Sequence, residues 1–199
     1  KGVKSIHIGN PVRDAILMRA ASGYIPPGDH PMSLLVIGGS QGARILSQVV
    51  PADIALMPGN LRALVRVDHQ ARAEDVELVK QTYHAAAVTA DVSPFFDDVA
   101  RRLTEAHFVI TRAGASSIAD ISVMGRPSIL IPYAAAAMDH QTANAKTVVD
   151  AGAGVALVEA GLTPERLCAE IMAILQDPSL AVRMAGFAKG YGIPDATQR

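Results

Sequence analysis

Short apolar runs alternate along this chain with longer segments of helical periodicity. The apolar runs, rich in β-branched residues, predict strands at residues 33–37, 64–67, 86–89, 107–111, 128–132 and 155–158, with a short leading strand at 6–8. The segments between them predict helices at residues 41–50, 74–84, 96–105, 116–124, 140–151, 164–176 and 180–189. Apolar strands alternating with helices are typical of the α/β class, here a Rossmann-like doubly wound parallel sheet.

Two glycine-rich turns follow predicted strands and open predicted helices. They read Gly38-Gly39-Ser40-Gln41-Gly42-Ala43-Arg44 and Arg112-Ala113-Gly114-Ala115-Ser116-Ser117. Glycine allows a ligand to approach the backbone closely, and the helix start directs free N–H groups at it. The spacing matches neither the dinucleotide fingerprint nor the P-loop, and turns that only pack a helix on the sheet are the alternative. The turns predict a ligand with a diphosphate or several hydroxyls.

The candidate polar residues follow three different strands. Ser40 comes after the strand at 33–37, Ser116 and Ser117 after that at 107–111, and Gln141 after that at 128–132. Ligands of doubly wound sheets bind outside the carboxyl ends of the strands, where such loops converge. We therefore expect one shared rim, which disfavours a purely structural domain.

Two helices beyond this rim carry polar side chains suited to a nucleotide sugar. Asp120 lies four residues after Ser116 on one helix face, where its carboxylate can accept from two ribose hydroxyls. Gln141 and Asn144 are three apart, and their amides suit sugar hydroxyls. The alternatives are a solvated helix acid and surface amides behind a capping Asp139.

Composition narrows the function classes further. The 199 residues are 50% hydrophobic and 19% charged with a net charge of -1, which indicates a packed globular domain and no nucleic-acid partner. The single cysteine, Cys168, cannot form an internal disulfide and is expected to pack in the core. Histidines and acids lack metal-ligand spacing, and no apolar run reaches the length of a membrane span. No metal and no cofactor are expected.

Six motifs in order resemble the MurG family of peptidoglycan N-acetylglucosaminyltransferases. They are Gly9-Asn10-Pro11-Val12-Arg13, residues 38–44, Phe95-Phe96-Asp97-Asp98, residues 112–120, residues 139–144, and Ile193-Pro194-Asp195-Ala196-Thr197. The resemblance covers the second half of that enzyme. It implies the donor-binding, C-terminal lobe of a two-lobed GT-B glycosyltransferase. The implied reaction is inverting transfer of GlcNAc from UDP-GlcNAc to undecaprenyl-pyrophosphoryl-MurNAc-pentapeptide, lipid I to lipid II.

The resemblance also implies a role for each matching position. Arg13 and Ser40 fall on the diphosphate side, and Phe96 falls where backbone groups read the uracil. Asp120 takes the ribose position, and Gln141 with Asn144 takes the GlcNAc hydroxyls. The turn around the diphosphate and sugar comprises Ala115, Ser116, Ser117, Ile118 and Ala119. Two positions depart from the family, since Asp120 stands where Glu is usual and Phe96 where an aliphatic residue is common.

The implied organisation has three parts. Residues 1–32 form an interdomain strand and linker, residues 33–190 the donor-binding domain, and residues 191–199 the start of a truncated helix returning to a missing N-terminal lobe. That lobe would supply the catalytic base, the lipid-linked acceptor site and the contact with the cytoplasmic face of the bacterial inner membrane. The chain alone is then soluble and inactive. A stand-alone UDP-GlcNAc-binding subunit of a two-chain transferase and a UDP-GlcNAc 2-epimerase remain alternatives.

Overall fold

A six-stranded, all-parallel sheet organises the chain. The computed structural model describes residues 10–39, 43–133 and 139–195. The strands are β1 (Met32–Ile37), β2 (Val65–Gln70), β3 (Thr89–Ser93), β4 (Phe108–Thr111), β5 (Ser128–Leu130) and β6 (Gly154–Ala156), in the order β3-β2-β1-β4-β5-β6. The predicted doubly wound parallel sheet is confirmed. The predicted leading strand at 6–8, Ser40 and the residues from 196 on lie outside the described residues, as do residues 41–42 and 134–138.

Nine helices connect and cover the strands in the described part of the chain. They are α1 (Asp14–Leu17), α2 (Arg44–Leu56), α3 (Gly59–Arg62), α4 (Val76–Ala85), α5 (Val99–Glu105), α6 (Ala115–Met124), α7 (His140–Asp150), α8 (Pro164–Gln176) and α9 (Pro178–Tyr191). Two starts are capped as their sequences indicate, because Thr163 Oγ1 accepts from Arg166 N at 3.3 Å and Asp177 Oδ1 accepts from Leu180 N at 2.9 Å. The bounds predicted for α8 are those observed.

The third strand lies further along the chain than predicted. An apolar run had placed it at 86–89, but α4 continues to Ala85 and Ala87 takes a left-handed φ of 54°. The strand begins at Thr89 and runs to Ser93, and Val92 is its one buried residue. As an edge strand it has one neighbour, so its sequence lacks the apolar signal of a strand covered on both faces. The helix that was predicted to begin at residue 96 also begins later in the structure, at Val99.

The core lies on both faces of the sheet. Leu34 and Val36 of β1 pack into the cluster that includes residues of α2, α4 and α8, whereas Leu35 and Ile37 pack into the cluster on the opposite face. Successive strand residues point to opposite faces, and both faces are covered, so β1 is apolar at every position except Ser33. This packing fixes the carboxyl ends of β1, β4 and β5, from which the candidate site is built.

Candidate functional site

The loops after β1 and β4 form the centre of the candidate site. Gly39 directly follows β1 with a φ of 87°, a left-handed conformation that favours glycine. After β4, the chain passes Gly114, the extended N-cap of α6, and the first backbone hydrogen bond of this helix runs from Ile118 N to Gly114 O at 3.0 Å. The N–H groups of the first turn therefore have no partner within the helix. They carry the positive end of its dipole and suit an anionic group.

A cavity of about 420 Å³ lies on one side of this helix start. We call it the nucleoside cavity; among its lining residues are Arg13, Gly39, Gln70, Phe95, Phe96, Ser116, Ser117 and Asp120. Five of the predicted site residues are thus brought together, although their positions in the sequence span more than a hundred residues. The cavity combines a carboxylate, a guanidinium and aromatic side chains.

Asp120 and Arg13 form an ion pair in the nucleoside cavity. Arg13 donates to Oδ2 of Asp120 from Nε at 3.0 Å and from Nη2 at 2.5 Å. The Asp120 side chain is 7% exposed and that of Arg13 60% exposed. Burial raises the pKa of Asp120, and the Arg13 guanidinium opposes that rise. Neither of the two side-chain bonds ends on Oδ1, and a hydrogen bond from the Arg13 backbone to the carboxylate lowers its pKa as well.

A second cavity, of about 510 Å³, lies on the other side of the glycine turns. We call it the sugar cavity; its described lining residues are Gly38, Gly39, Ala43, Arg44, Ile45, Arg72, Arg112, Gly114, Ser117, Tyr133, Gln141 and Glu159. Gly39 and Ser117 line both cavities, so the two join at the start of α6. A ligand with a polar group at each end and an anion between them fits this arrangement.

Gln141 and Asn144 line different cavities. Gln141 faces the sugar cavity, and its Oε1 accepts from Tyr133 N at 2.9 Å. Asn144 donates from Nδ2 to Ala113 O at 3.0 Å and lines a smaller space of about 60 Å³. That space also contacts Ala115, Ile118 and Ala119. Residues three apart on a helix point about 60° apart, so both amides border the turn before α6 from different sides.

Three residues of the sugar cavity that were not predicted as site residues interact with one another. Arg112 donates from Nη1 to Glu159 Oε2 at 2.8 Å and to Ile131 O at 3.1 Å, and its guanidinium lies 5.1 Å from the centroid of the Tyr133 ring. The side chain of Arg112 is mostly buried. An arginine directly after an apolar strand was the available signal for this residue. Tyr133 and Glu159 carry no comparable signal, because only the fold brings them to Arg112.

The described residues contain neither a candidate metal site nor a helix that could span a membrane. Residues 10–39, 43–133 and 139–195 contain no group of three or more His, Cys, Asp or Glu side chains placed to hold a metal ion. No helix in those ranges is both long and apolar enough to cross a membrane.

The sheet and the site at its carboxyl edge define the C-terminal lobe of a GT-B glycosyltransferase. Residues 33–199 match the family model described as the glycosyltransferase family 28 C-terminal domain, and the chain belongs to this family. The crystal structure of Acinetobacter baumannii MurG superimposes with a TM-score of 0.78 at 31% identity, covering 88% of this chain and 52% of that one. A glycosyltransferase of kitacinnamycin shares the fold. It superimposes with a TM-score of 0.60 at 21% identity, covering 89% of this chain and 45% of that one.

Curated relatives extend the match to the whole chain. The relative from Granulibacter bethesdensis is 45% identical over 199 residues, and that from Rhodospirillum rubrum is 42% identical over 200 residues. Both carry the name UDP-N-acetylglucosamine–N-acetylmuramyl-(pentapeptide) pyrophosphoryl-undecaprenol N-acetylglucosamine transferase. Each match covers 100% of this chain and 52% of the relative, so the chain spans about half their length. The resemblance to the MurG family is thereby confirmed.

Proposed function

We propose that the chain is the donor-binding half of an inverting N-acetylglucosaminyltransferase of peptidoglycan synthesis. Its donor is UDP-GlcNAc, and the acceptor is undecaprenyl-pyrophosphoryl-MurNAc-pentapeptide. The observation that carries this proposal is the pair of joined cavities on either side of the α6 start, with Asp120 in one and Gln141 in the other. The names of the relatives support the same donor and acceptor.

The two cavities suggest how the donor lies. The uridine occupies the nucleoside cavity, where Asp120 Oδ1 accepts from the ribose and the Phe96 backbone meets the base. The diphosphate crosses the start of α6 beside Gly39 and Ser117, and the GlcNAc enters the sugar cavity near Gln141. Ser40 is proposed on the diphosphate side from the motif alone.

This placement assigns the chain a role in the chemical step. When the acceptor oxygen bonds to the anomeric carbon, the bond from that carbon to the UDP phosphate oxygen breaks, and negative charge builds on the diphosphate. The fixed N–H groups and dipole of α6 stabilise that charge as it forms. The base that takes the acceptor proton is proposed to lie in the other half of the enzyme. That half would also hold the lipid-linked acceptor at the cytoplasmic face of the inner membrane, so the 199-residue chain alone should bind donor without transferring sugar.

Of the alternatives, the epimerase has the weaker support. A putative UDP-N-acetylglucosamine 2-epimerase from Listeria monocytogenes superimposes with a TM-score of 0.59 but at 15% identity, which is a likeness of fold alone. No feature of the described residues favours the stand-alone subunit of a two-chain transferase over the family's own two-lobed enzyme.

Calorimetric titration of the chain with UDP-GlcNAc, UDP, GDP-mannose and NAD tests the donor assignment. We expect UDP-GlcNAc and UDP to bind and the other two to fail. Asp120→Ala should weaken UDP binding by about 1.5–3 kcal/mol, the range for a hydrogen bond to a charged group. The matched control is 2′,3′-dideoxy-UDP, which lacks the hydroxyls and should bind wild type and variant equally. Unchanged UDP affinity in Asp120→Ala would refute the ribose role.

A further inference from the structure

Arg102 is a largely buried arginine that contacts three acids near the nucleoside cavity. It projects from α5 and is 9% exposed. Its Nη1 donates to Asp68 Oδ1 at 2.5 Å, its Nη2 to Asp91 Oδ2 at 2.7 Å and its Nε to Asp98 Oδ1 at 2.7 Å. The planar guanidinium thus uses all of its nitrogens, a geometry that lysine cannot reproduce.

Two of these acids belong to neighbouring strands. Asp68 of β2 and Asp91 of β3 are paired directly across the strands. Like charges directly opposite each other destabilise a sheet, and Arg102 offsets that repulsion. Burial raises the pKa of Asp68, with a further rise from Asp91, and Arg102 opposes both. Arg102 is therefore held firmly to the edge of the sheet.

The same guanidinium also contacts the loop that lines the nucleoside cavity. It lies 3.8 Å from the centroid of the Phe96 ring, which is buried. Its bond to Asp98 fixes the end of the loop where α5 begins. The other end is held by Gln70 Nε2, which donates to Pro94 O at 3.2 Å.

Phe96 lines the nucleoside cavity, and its peptide groups have no hydrogen-bond partner among the described residues. Ser93 Oγ donates to Phe95 O at 2.8 Å, whereas no hydrogen bond within the described ranges involves the N–H or C=O of Phe96. One donor and one acceptor at a fixed angle can distinguish uracil from cytosine. Uracil presents an acceptor at O4 and a donor at N3, and cytosine presents the reverse pattern at the corresponding positions.

We propose that Arg102 is a positioning residue for base selection, because it fixes the Phe96 backbone relative to the sheet. Its guanidinium stacks on the Phe96 ring and is bonded to Asp68, Asp91 and Asp98. The inference rests on the proposed function, since it requires a uridine nucleotide in the nucleoside cavity. Arg102 itself does not contact that cavity's ligand; it acts through Phe96.

The test compares UDP with CDP by calorimetric titration of the 199-residue chain. Arg102→Lys keeps the positive charge between the strand acids but loses the planar fork and the stacking. We expect the preference for UDP over CDP to fall about tenfold in this variant. Arg166→Gln is the control, because Arg166 pairs with Glu170 on α8 and does not line the nucleoside cavity. Its UDP to CDP ratio should equal that of the wild type.

A second variant keeps the test independent of folding. Asp98→Ala removes the acceptor for Arg102 Nε and leaves Arg102 between Asp68 and Asp91, so the ratio should fall in the same direction. Circular dichroism verifies that each variant is folded. Wild-type ratios in both Arg102→Lys and Asp98→Ala overturn the inference, as does a wild-type chain that binds UDP and CDP equally. A wild-type chain that binds no UDP overturns the proposed function instead, and the inference with it.

Discussion

Asp53 is the least favourably placed acid in the described part of the chain. It lies on α2, is 0% exposed, and its carboxyl group has no polar partner among the described residues except the weak Cys168 thiol. Burial raises the pKa of Asp53 from 3.8 to about 8, and the nearby Cys168 thiol only partly opposes the rise. The folded chain therefore holds this carboxyl protonated at neutral pH, whereas the unfolded chain ionises it.

The sign and size of the effect on stability follow from this difference. Below the unfolded pKa of 3.8 both states are protonated, so the stability is present in full. Between 3.8 and about 8 the folded state holds a proton that the unfolded state has lost, so the free energy of unfolding decreases by about 1.4 kcal/mol per pH unit. Above the folded pKa both states are ionised, and the loss levels off at about 6 kcal/mol.

The comparison with Asp53→Asn isolates this slope. It is needed because burial lowers the pKa of His69 to about 3 and of His107 to about 4, which makes stability rise with pH in the acidic range. Urea unfolding of both proteins at about pH 5.5 and about pH 7.5 should show wild type losing about 2.7 kcal/mol relative to the variant. Asp150→Asn, at an exposed surface acid, is the control. Parallel pH profiles for wild type and Asp53→Asn would refute the argument.

Two further predictions address packing and sugar recognition. A Cβ at Gly192 would lie 2.8 Å from Val123 N, whereas one at Gly190 would meet nothing within 4 Å. Gly192→Ala should therefore lower the free energy of unfolding by about 1–3 kcal/mol, while Gly190→Ala, within α9, should not lower it, and urea unfolding compares the two. Gln141→Ala should weaken UDP-GlcNAc binding by about 1 kcal/mol and leave UDP unchanged by calorimetry. Asn144→Ala leaves Ala113 O, just before α6, without its hydrogen bond, so it should weaken the binding of both UDP-GlcNAc and UDP. If Gln141→Ala weakened the binding of UDP-GlcNAc and UDP equally, Gln141 would not belong to the sugar site.

The sequence predicted the central strands well because their burial is visible in local composition. The strands β1, β4 and β5 are covered on both faces, so each is a short apolar run with a turn after it. The edge strand β3 has no such run, and its predicted position fell on the end of α4 and the left-handed Ala87. The other edge strand, β6, was predicted within two residues of its position, so the local pattern failed only where the edge strand lacks an apolar run.

The candidate site was likewise predictable where its residues lie close together in the sequence, and not where they lie far apart. The glycine turns and the spacing of Ser116 and Asp120 are local, and the sequence alone indicated that they share a rim. The Arg13–Asp120 pair joins residues 107 positions apart, and Arg112–Glu159 joins residues 47 apart. Such pairs depend on which strands become neighbours, and no periodicity within either segment encodes that choice.

The ion pair between Arg13 and Asp120 explains how an acid can lie beside the proposed diphosphate site. An unpaired Asp120 carboxylate would be costly to bury and would repel the donor's diphosphate. Arg13 reduces both costs through two bonds to Oδ2. The Arg13 side chain is mostly exposed, but Asp120 is buried, so this pair is held more tightly than one between two exposed side chains. On the proposed function, Arg13 thus neutralises Asp120 and places a cation near the donor's diphosphate, in agreement with the diphosphate-side role that the sequence motif implies.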